Sequence, residues 1–322
     1  PISPPRASIS LTRCPLELPP ILGLQGNYFS FIQKQLNDIK PDIFWEVNTV
    51  IPIKLKGNFK TMITVHDMFP IQYVQYFGRI YSMYFKYSLA KTLKNTDMIL
   101  YNSEQTRKTT EKIFPNAKKI ANCNAYIIAN PHKESYITSD KNYLLYVGNM
   151  EKRKGVDLLL KAYPRYRQLG GTKELVLAGK MQEEDIRQLL DDTTRTTEGI
   201  KYLDYVTHEK KHQLFADCSC FVFPSKAEGF GMPVIEAMKF KKPILISNLD
   251  IYDELIGPCV NEFDLNGTEN TQIDNLANAM LKFNSNVDGQ QYEKVVDRYS
   301  PAKLGKIVRE FIDVQANLQP AD

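Results

Sequence analysis

The sequence has no apolar run near the ~18 residues that a helix needs to cross a bilayer. Only 43% of its 322 residues are apolar, and it has a single tryptophan. Its five cysteines are odd in number and scattered among apolar neighbours: Cys14, Cys123, Cys218, Cys220 and Cys259. Such thiols are typical of a reducing compartment, not of a disulfide framework. We therefore expect a globular protein of the cytosol.

Phosphate and metal signatures are also scarce. No G-x-x-x-x-G-K-[ST] phosphate loop occurs. The segment His208-Glu209-Lys210-Lys211-His212 matches the H-E-x-x-H pattern of zinc proteases, but no histidine follows it as a third ligand. Two lysines inside the pattern would add positive charge beside a metal. Thr207 is a predicted helix cap, so we interpret the segment as an exposed first turn of a helix and keep a zinc site as the lesser alternative.

The net charge of +4 hides an asymmetry between the two halves. Residues 1–138 carry 17 lysines and arginines against 9 acidic residues, whereas the remainder carries 24 against 28. A basic half suits an anionic surface, and ordinary solubility charge is the alternative. Within this half, residues 69–94 mix aromatic and basic side chains at helical spacing. These side chains can contact a membrane interface, form a core or line a binding groove.

Short apolar runs alternate with amphipathic segments along most of the chain, which predicts parallel sheets with helical crossovers. The predicted strands are 42–45, 60–65, 98–101, 125–128, 143–147, 174–178, 200–203, 220–223 and 243–247. The polar stretch 135–141 is the clearest boundary. We predict two Rossmann-like domains, residues 1–138 and 139–297, and a final helix in 298–322 that packs back on the first domain. Loops at the carboxyl ends of the strands would then face a common cleft.

The strongest motif runs from a buried strand through a glycine-containing loop into a helix: Phe223-Pro224-Ser225-Lys226-Ala227-Glu228-Gly229-Phe230-Gly231-Met232-Pro233-Val234-Ile235-Glu236. Glycines let backbone amides approach a ligand closely, and a helix start favours anionic phosphate. Proline near the first helical position is typical of a helix beginning. Two carboxylates, Glu228 and Glu236, flank this turn and could accept hydrogen bonds from sugar hydroxyls.

This motif resembles the Glu-x7-Glu signature of retaining glycosyltransferases of the GT-B fold, family four. The resemblance extends from Phe44 to Phe283 and includes further elements in the order of that family: Val65-His66-Asp67, Asn102-Ser103-Glu104-Gln105-Thr106, Tyr146-Val147-Gly148-Asn149-Met150-Glu151-Lys152-Arg153-Lys154-Gly155, Pro243–Asn248 and Glu254–Gly257. It implies the α/β GT-B fold, in which two Rossmann-like domains face each other across a cleft. It also implies a nucleotide-sugar substrate linked to GDP, UDP or dTDP, and no separate cofactor.

The resemblance assigns roles to particular residues. Glu228 would hold hydroxyls of the donor sugar, Glu236 the ribose, and Lys154 the diphosphate as negative charge develops on it. His66 would face the sugar from the first domain, which makes His66, Glu228 and Lys154 the candidate catalytic residues. The remaining donor-binding candidates flank these positions: Gly148, Asn149, Arg153, Gly229, Phe230, Gly231, Met232 and Pro233.

Two departures from the family pattern matter. Many members carry arginine where this chain has Asn149, and Arg153 would replace it as a bidentate phosphate ligand. Residues 1–30 match poorly the strand and glycine-rich loop with which the family opens. Because Pro1–Pro5 has the features of neither a signal peptide nor an initiator, we expect the chain to continue upstream.

The sequence is thus interpreted as a metal-independent retaining hexosyltransferase of surface-polysaccharide synthesis. The absence of Asp-x-Asp argues against the metal-dependent GT-A class. The donor sugar would be of the mannose, rhamnose or glucose type, and the acceptor a saccharide or a lipid-linked saccharide. The protein would be cytoplasmic, with possible peripheral contact to an anionic membrane, and without a nucleic-acid partner. A nucleotide-sugar 2-epimerase and a catalytically silent sugar-nucleotide-binding scaffold are the alternatives.

Overall fold

The computed structural model describes residues 25–47, 49, 55–125, 139 and 141–317. Within these residues the strands form two separate sheets, and every strand pairing inside the two sheets is parallel. The prediction of an α/β protein with two parallel sheets is confirmed.

The first sheet contains four strands in sequential order: β1 (Ile43–Glu46), β2 (Lys60–Val65), β3 (Met98–Tyr101) and β4 (Ala121–Asn124). Its helices are α1 (Gln25–Ile39), α2 (Phe69–Gln72), α3 (Val74–Phe77), α4 (Arg79–Leu93) and α5 (Glu104–Ile113), and a short 3₁₀ helix covers Pro115–Lys119. The central strand β3 is buried along its whole length, as expected when helices cover both faces of a parallel sheet.

The second sheet contains six strands: β5 (Tyr143–Val147), β6 (Glu174–Ala178), β7 (Ile200–Tyr202), β8 (Cys220–Phe223), β9 (Ile244–Ser247) and β10 (Asn261–Phe263). Its helices are α6 (Val156–Gln168), α7 (Glu184–Thr196), α8 (His208–Asp217), α9 (Met232–Met238), α10 (Asp250–Leu255), α11 (Glu269–Lys282) and α12 (Gly289–Arg298), and α13 (Pro301–Asn317) follows. The spatial order is β10-β9-β8-β5-β6-β7. Strand order therefore reverses between β5 and β8, which creates a crevice at their carboxyl ends.

Helix α13 follows the helices of the second sheet in the chain but packs on the first sheet. Leu304 and Val308 are buried in a cluster with Leu100 of β3, and Trp45 of β1 packs against the same cluster. The Lys60 amine donates a hydrogen bond to the Gln315 carbonyl. The last helix of the described chain thus links the two halves on the side of the first sheet.

The predicted strand 125–128 stays a prediction, because residues 126–128 lie outside the described residues and only Ala125, just beyond β4, is described. Strand β4 itself was not predicted. Its four residues, Ala121–Asn124, are half-buried or exposed and form no apolar run. The domain boundary near residue 138 also falls outside the described residues and stays a prediction.

Within the described part of the chain, we find no helix that is both long and apolar enough to cross a membrane.

Candidate functional site

The strand–turn–helix motif forms at the crevice. Strand β8 is completely buried, and the loop that follows it leads into α9, with Pro233 within the first two helical positions. Gly231 directly precedes the helix with φ 79°, a left-handed conformation. The neighbouring strand β5 leads into the second motif, because Gly148 and Asn149 follow its carboxyl end. The topology thus brings both sequence motifs to the same edge of the second sheet.

The two motifs contact each other directly. Gly155 has φ 70°, and a Cβ added there would lie 1.8 Å from the Pro224 carbonyl oxygen. The Lys226 amide donates a hydrogen bond to the Arg153 carbonyl at 2.9 Å. The short basic 3₁₀ helix Lys152–Lys154 thus lies against the loop that carries Glu228, and this close approach leaves no room for a side chain at Gly155.

Lys154 and Glu228 form an ion pair at the centre of this contact. Lys154 Nζ lies 2.6 Å from Glu228 Oε1, and the two side chains are only 17% and 5% exposed. Ser225 Oγ donates to the same oxygen at 2.7 Å. Glu228 Oε2 makes no hydrogen bond within the described part of the chain. The sequence motifs predict Lys154 and Glu228 in one site, and the structure brings the two side chains together.

Arg153 has its own set of neighbours. Its Nη2 lies 2.6 Å from Glu151 Oε1, and its Nη1 donates to the Ala227 carbonyl at 3.0 Å. The guanidinium also lies over the Phe69 ring, with 5.2 Å to the ring centroid. Phe69 belongs to the first half of the chain, so Arg153 lies where the two halves meet. Its assignment as a phosphate ligand stays a prediction.

Gly148 and Asn149 are held by backbone contacts. The Gly148 amide donates to the Ala178 carbonyl at 3.0 Å, which extends the pairing of β5 with β6. Tyr146 Oη donates to the Asn149 carbonyl at 2.7 Å. These bonds fix the course of the loop before Arg153.

The turn that carries His66 approaches the site from the first sheet. Its ring Nε2 lies 2.8 Å from the Val47 carbonyl oxygen, and the Asn102 side-chain amide donates to its backbone carbonyl. A Cβ added at Gly229 would lie 2.7 Å from the His66 carbonyl oxygen and 3.2 Å from Asp67 Cβ. Glycine at position 229 therefore allows the turn after β2 to approach the loop of Glu228 closely.

Asp67 is a further carboxyl group at this junction. Burial raises its pKa, and the nearby Glu228 acts in the same direction. The Phe69 amide, which donates to Asp67 Oδ1 at 3.0 Å, and the charges of Arg153 and His66 oppose that rise. In the sequence, Asp67 was noted only as part of the motif Val65-His66-Asp67. Its charge and its position next to His66 could have indicated a site residue.

Glu236 lies on α9 and is paired with a residue that the sequence analysis did not select. Lys211 Nζ lies 3.0 Å from Glu236 Oε1 and 2.9 Å from Oε2. Lys211 belongs to α8, which begins at His208, and Thr207 Oγ1 caps this helix by accepting from the Lys210 amide at 3.2 Å. The predicted cap is confirmed. Among the described residues, no group of three His, Cys, Asp or Glu side chains is placed to hold a metal ion.

Tyr252 was also missed. Its side chain is 1% exposed, and its hydroxyl is buried without a hydrogen-bond partner among the described residues. Burial raises its pKa well above the ordinary value, and the charges of Glu228 and Tyr146 raise it further. Its ring edge lies 2.9 Å from the position of a Cβ added at Gly231. No sequence signal distinguished this tyrosine, because it lies on α10, beyond the motif.

Phe230 and Met232 differ in their exposure. The Phe230 side chain is 4% exposed and packs edge-on against Tyr299, with 5.0 Å between ring centroids. The Met232 side chain is 42% exposed.

The chain belongs to the family of glycosyl transferases group 1, whose model matches residues 128–298. The model for glycosyltransferase family 4 matches residues 3–122. These matches confirm the family that the Glu-x7-Glu motif indicated.

Two O-antigen chain mannosyltransferases are similar in sequence to this chain. The chain is 31% identical over 244 residues to O-antigen chain mannosyltransferase B of Escherichia coli, covering 69% of this chain and 61% of the relative. It is 24% identical over 241 residues to O-antigen chain mannosyltransferase RfbU of Salmonella typhimurium, covering 72% and 66% of the respective chains. The chain thus spans slightly less than two thirds of each relative.

Solved structures confirm the GT-B fold. Sucrose-phosphate synthase from Thermosynechococcus elongatus superposes with a TM-score of 0.70 at 14% identity, over 95% of this chain and 83% of that chain. HepE from Anabaena, solved in complex with UDP and glucose, superposes with a TM-score of 0.66 at 15% identity, over 91% and 83%. At such low identity the similarity establishes the fold alone.

Proposed function

We propose that the chain transfers a hexose from a nucleotide-sugar donor to a saccharide acceptor in surface-polysaccharide synthesis. The observation that carries the proposal is the buried contact between Lys154 and Glu228, with Glu236 on the helix that follows. A cation beside a carboxylate provides one group for a diphosphate and one for sugar hydroxyls. Family membership, the O-antigen mannosyltransferase relatives and a neighbour solved with UDP and glucose support it.

The donor would displace the internal ion pair in part. Lys154 would turn its charge toward the diphosphate, where negative charge develops as the glycosidic bond breaks. Glu228 Oε2 would accept a hydrogen bond from a sugar hydroxyl, while Ser225 holds Oε1. His66 would approach the sugar from the first sheet. The names of the relatives favour mannose as the first donor sugar to test. GDP, UDP and dTDP would then be compared as its nucleotide.

We infer transfer with retention of the anomeric configuration. The acceptor oxygen would form its bond to the sugar carbon on the face from which the diphosphate leaves. The acceptor proton would pass to the leaving phosphate oxygen, so no protein base is required. Lys154 would offset the charge of the leaving group in place of a divalent cation, which supports a metal-independent reaction.

A second proposal concerns an anionic membrane surface near the acceptor. On α4, the apolar side chains at positions 80, 83, 84 and 87 share one face and are exposed by 89%, 73%, 40% and 60%, respectively. Exposed basic residues flank them at positions 79, 86, 91 and 94. An apolar stripe bordered by positive charge is typical of a helix that lies at a lipid headgroup layer. A peripheral position at the cytoplasmic face would bring the cleft close to a lipid-linked acceptor.

A panel of nucleotide sugars tests the main proposal. A ligand that binds only the folded chain raises its melting temperature, so the correct donor is the one with the largest increase. That donor is then incubated with the protein, with and without a saccharide acceptor. Transfer requires the acceptor, whereas an epimerase converts the donor alone and a silent scaffold binds it without turnover. Conversion of the donor without an acceptor would contradict the proposal.

A further inference from the structure

Lys210 and Lys211, the two lysines inside the H-E-x-x-H pattern of α8, lie in different environments. Lys210 is exposed, whereas the Lys211 side chain is 17% exposed and binds both carboxylate oxygens of Glu236 at 3.0 and 2.9 Å. The pair connects α8 to α9, two helices on either side of β8 in the sequence. A lysine that binds both oxygens restricts rotation of the carboxylate.

The surroundings of this pair are rich in positive charge. The pKa of Lys239 is lowered by burial and by the neighbouring charge of Lys211, and Glu236 opposes this effect. Burial also lowers the pKa of His212, and Lys211 acts in the same direction. Glu236 thus lies near two lysines, Lys211 and Lys239. Of the two lysines, Lys211 is the one that binds it directly.

We propose that Lys211 is a positioning residue that orients Glu236 for the ribose of the nucleotide. The inference rests on the proposed function, in which Glu236 accepts hydrogen bonds from the ribose hydroxyls. An ionised carboxylate offers about four lone-pair sites. Lys211 occupies one site on each oxygen. The sites that remain lie on the outer edges of the carboxylate and point apart, so the ribose 2′-hydroxyl would donate to one of them.

Lys211 also offsets an electrostatic cost. Glu236 would lie near the diphosphate of the bound nucleotide, and two anions in a half-buried site repel each other. Positive charge on Lys211 reduces that repulsion without occupying the ribose-facing lone pairs. Both effects act through Glu236, so removal of the ribose 2′-hydroxyl should reveal the role of Lys211.

The test measures binding of GDP, UDP and their 2′-deoxy forms by isothermal titration calorimetry. Lys211→Met should weaken binding of the preferred ribonucleotide about 10-fold, or about 1.4 kcal/mol. Lys211→Arg should restore part of that affinity because the positive charge is kept. Lys210→Met is the matched control on the same helix and should bind like the wild type. Melting temperatures measured without ligand identify any variant that fails to fold, and Lys211→Arg then carries the comparison.

The deoxy nucleotides separate positioning from a general effect. In the wild type, loss of the 2′-hydroxyl should weaken binding, and in Lys211→Met that loss should be smaller. An equal loss in both proteins, or wild-type affinity in Lys211→Met, would overturn the inference. If Glu236→Ala also binds the ribonucleotide like the wild type, the proposed ribose site itself fails. If Glu236→Ala alone loses affinity, the ribose site survives without a role for Lys211.

Discussion

Lys154 Nζ lies 2.6 Å from Glu228 Oε1, although 74 positions separate the two residues in the sequence. The pair forms because β5 and β8 are neighbours in the sheet and the loops after them meet through Gly155 and Pro224. This ion pair is largely buried, and the second oxygen of Glu228 makes no hydrogen bond among the described residues. Such a pair is well suited to exchange its internal contact for a ligand. The proposed donor site is built on this relationship.

The contact between the two halves should depend on Glu254. Its two carboxylate oxygens accept from the Glu104 and Gln105 amides at 2.7 and 2.9 Å, at the start of α5. A carboxylate at a helix start satisfies amides that lack helical partners. Glu254→Ala should lower the free energy of unfolding by about 1 kcal/mol, as for loss of a cap. Urea unfolding measures the change, and Asp253→Ala, an exposed neighbour on α10, is the control. Equal stability of both variants would contradict this role.

Asp67 should make stability depend on pH. The pKa of Asp67 is about 3.8 in the unfolded chain and is raised in the folded chain. Between the unfolded-state and the folded-state pKa, the folded chain keeps a proton that the unfolded chain has lost. Stability from this group therefore falls as pH rises through that window. Asp67→Asn keeps an acceptor for the Phe69 amide but carries no charge. Its melting temperature should match the wild type at pH 3.5 and exceed it at pH 7. A difference that is constant over this range would refute the assignment.

Transfer should persist in a chelator. Lys154 would supply the positive charge that a divalent cation supplies elsewhere. The measurement is product formation in excess EDTA, with the same reaction in added manganese as the control. Loss of transfer in EDTA and its recovery with manganese or zinc would contradict the proposal. It would favour a metal site in the segment His208–His212.

The apolar stripe on α4 should give salt-sensitive binding to anionic vesicles. Each basic residue near such a surface contributes about 1 kcal/mol, and salt screens the attraction. Replacement of Arg79, Lys86, Lys91 and Lys94 by glutamine should reduce co-sedimentation with phosphatidylserine vesicles.

Nucleotide affinity should not change in this variant. The control replaces three exposed lysines of the second half by glutamine: Lys210, Lys282 and Lys294. If the wild type does not bind anionic vesicles even at low salt, the proposed membrane contact of the α4 stripe is wrong.

The sequence predicted most of the second sheet because its strands are continuous apolar runs. The strands 143–147, 174–178 and 220–223 occur with the predicted bounds. Strand β4 was not predicted because asparagines interrupt its residues, Ala121–Asn124, and leave no apolar run. Apolar runs therefore predicted most strands, including the partly buried β1 and β7, and a strand interrupted by polar residues was missed.

Candidate site residues could be selected from the sequence only where they belong to contiguous motifs. Glu228, Glu236 and Lys154 were selected in this way. Lys211 was not, because it contacts Glu236 only after α8 and α9 pack on the sheet. Tyr252 likewise approaches Gly231 only through the packing of α10. Contacts of this kind depend on tertiary geometry, and one sequence contains no pattern for them.

Nucleoside diphosphate binding to Glu236→Ala and Glu228→Ala tests the central assignment most directly. Isothermal titration calorimetry should show binding of GDP or UDP weakened about 10-fold or more in Glu236→Ala, because a charged hydrogen-bond acceptor for the ribose is lost. Glu228→Ala should bind the same nucleotide like the wild type and lose sugar transfer, because its partner is the sugar. Unchanged nucleotide affinity in Glu236→Ala, or equal losses in both variants, would contradict the account.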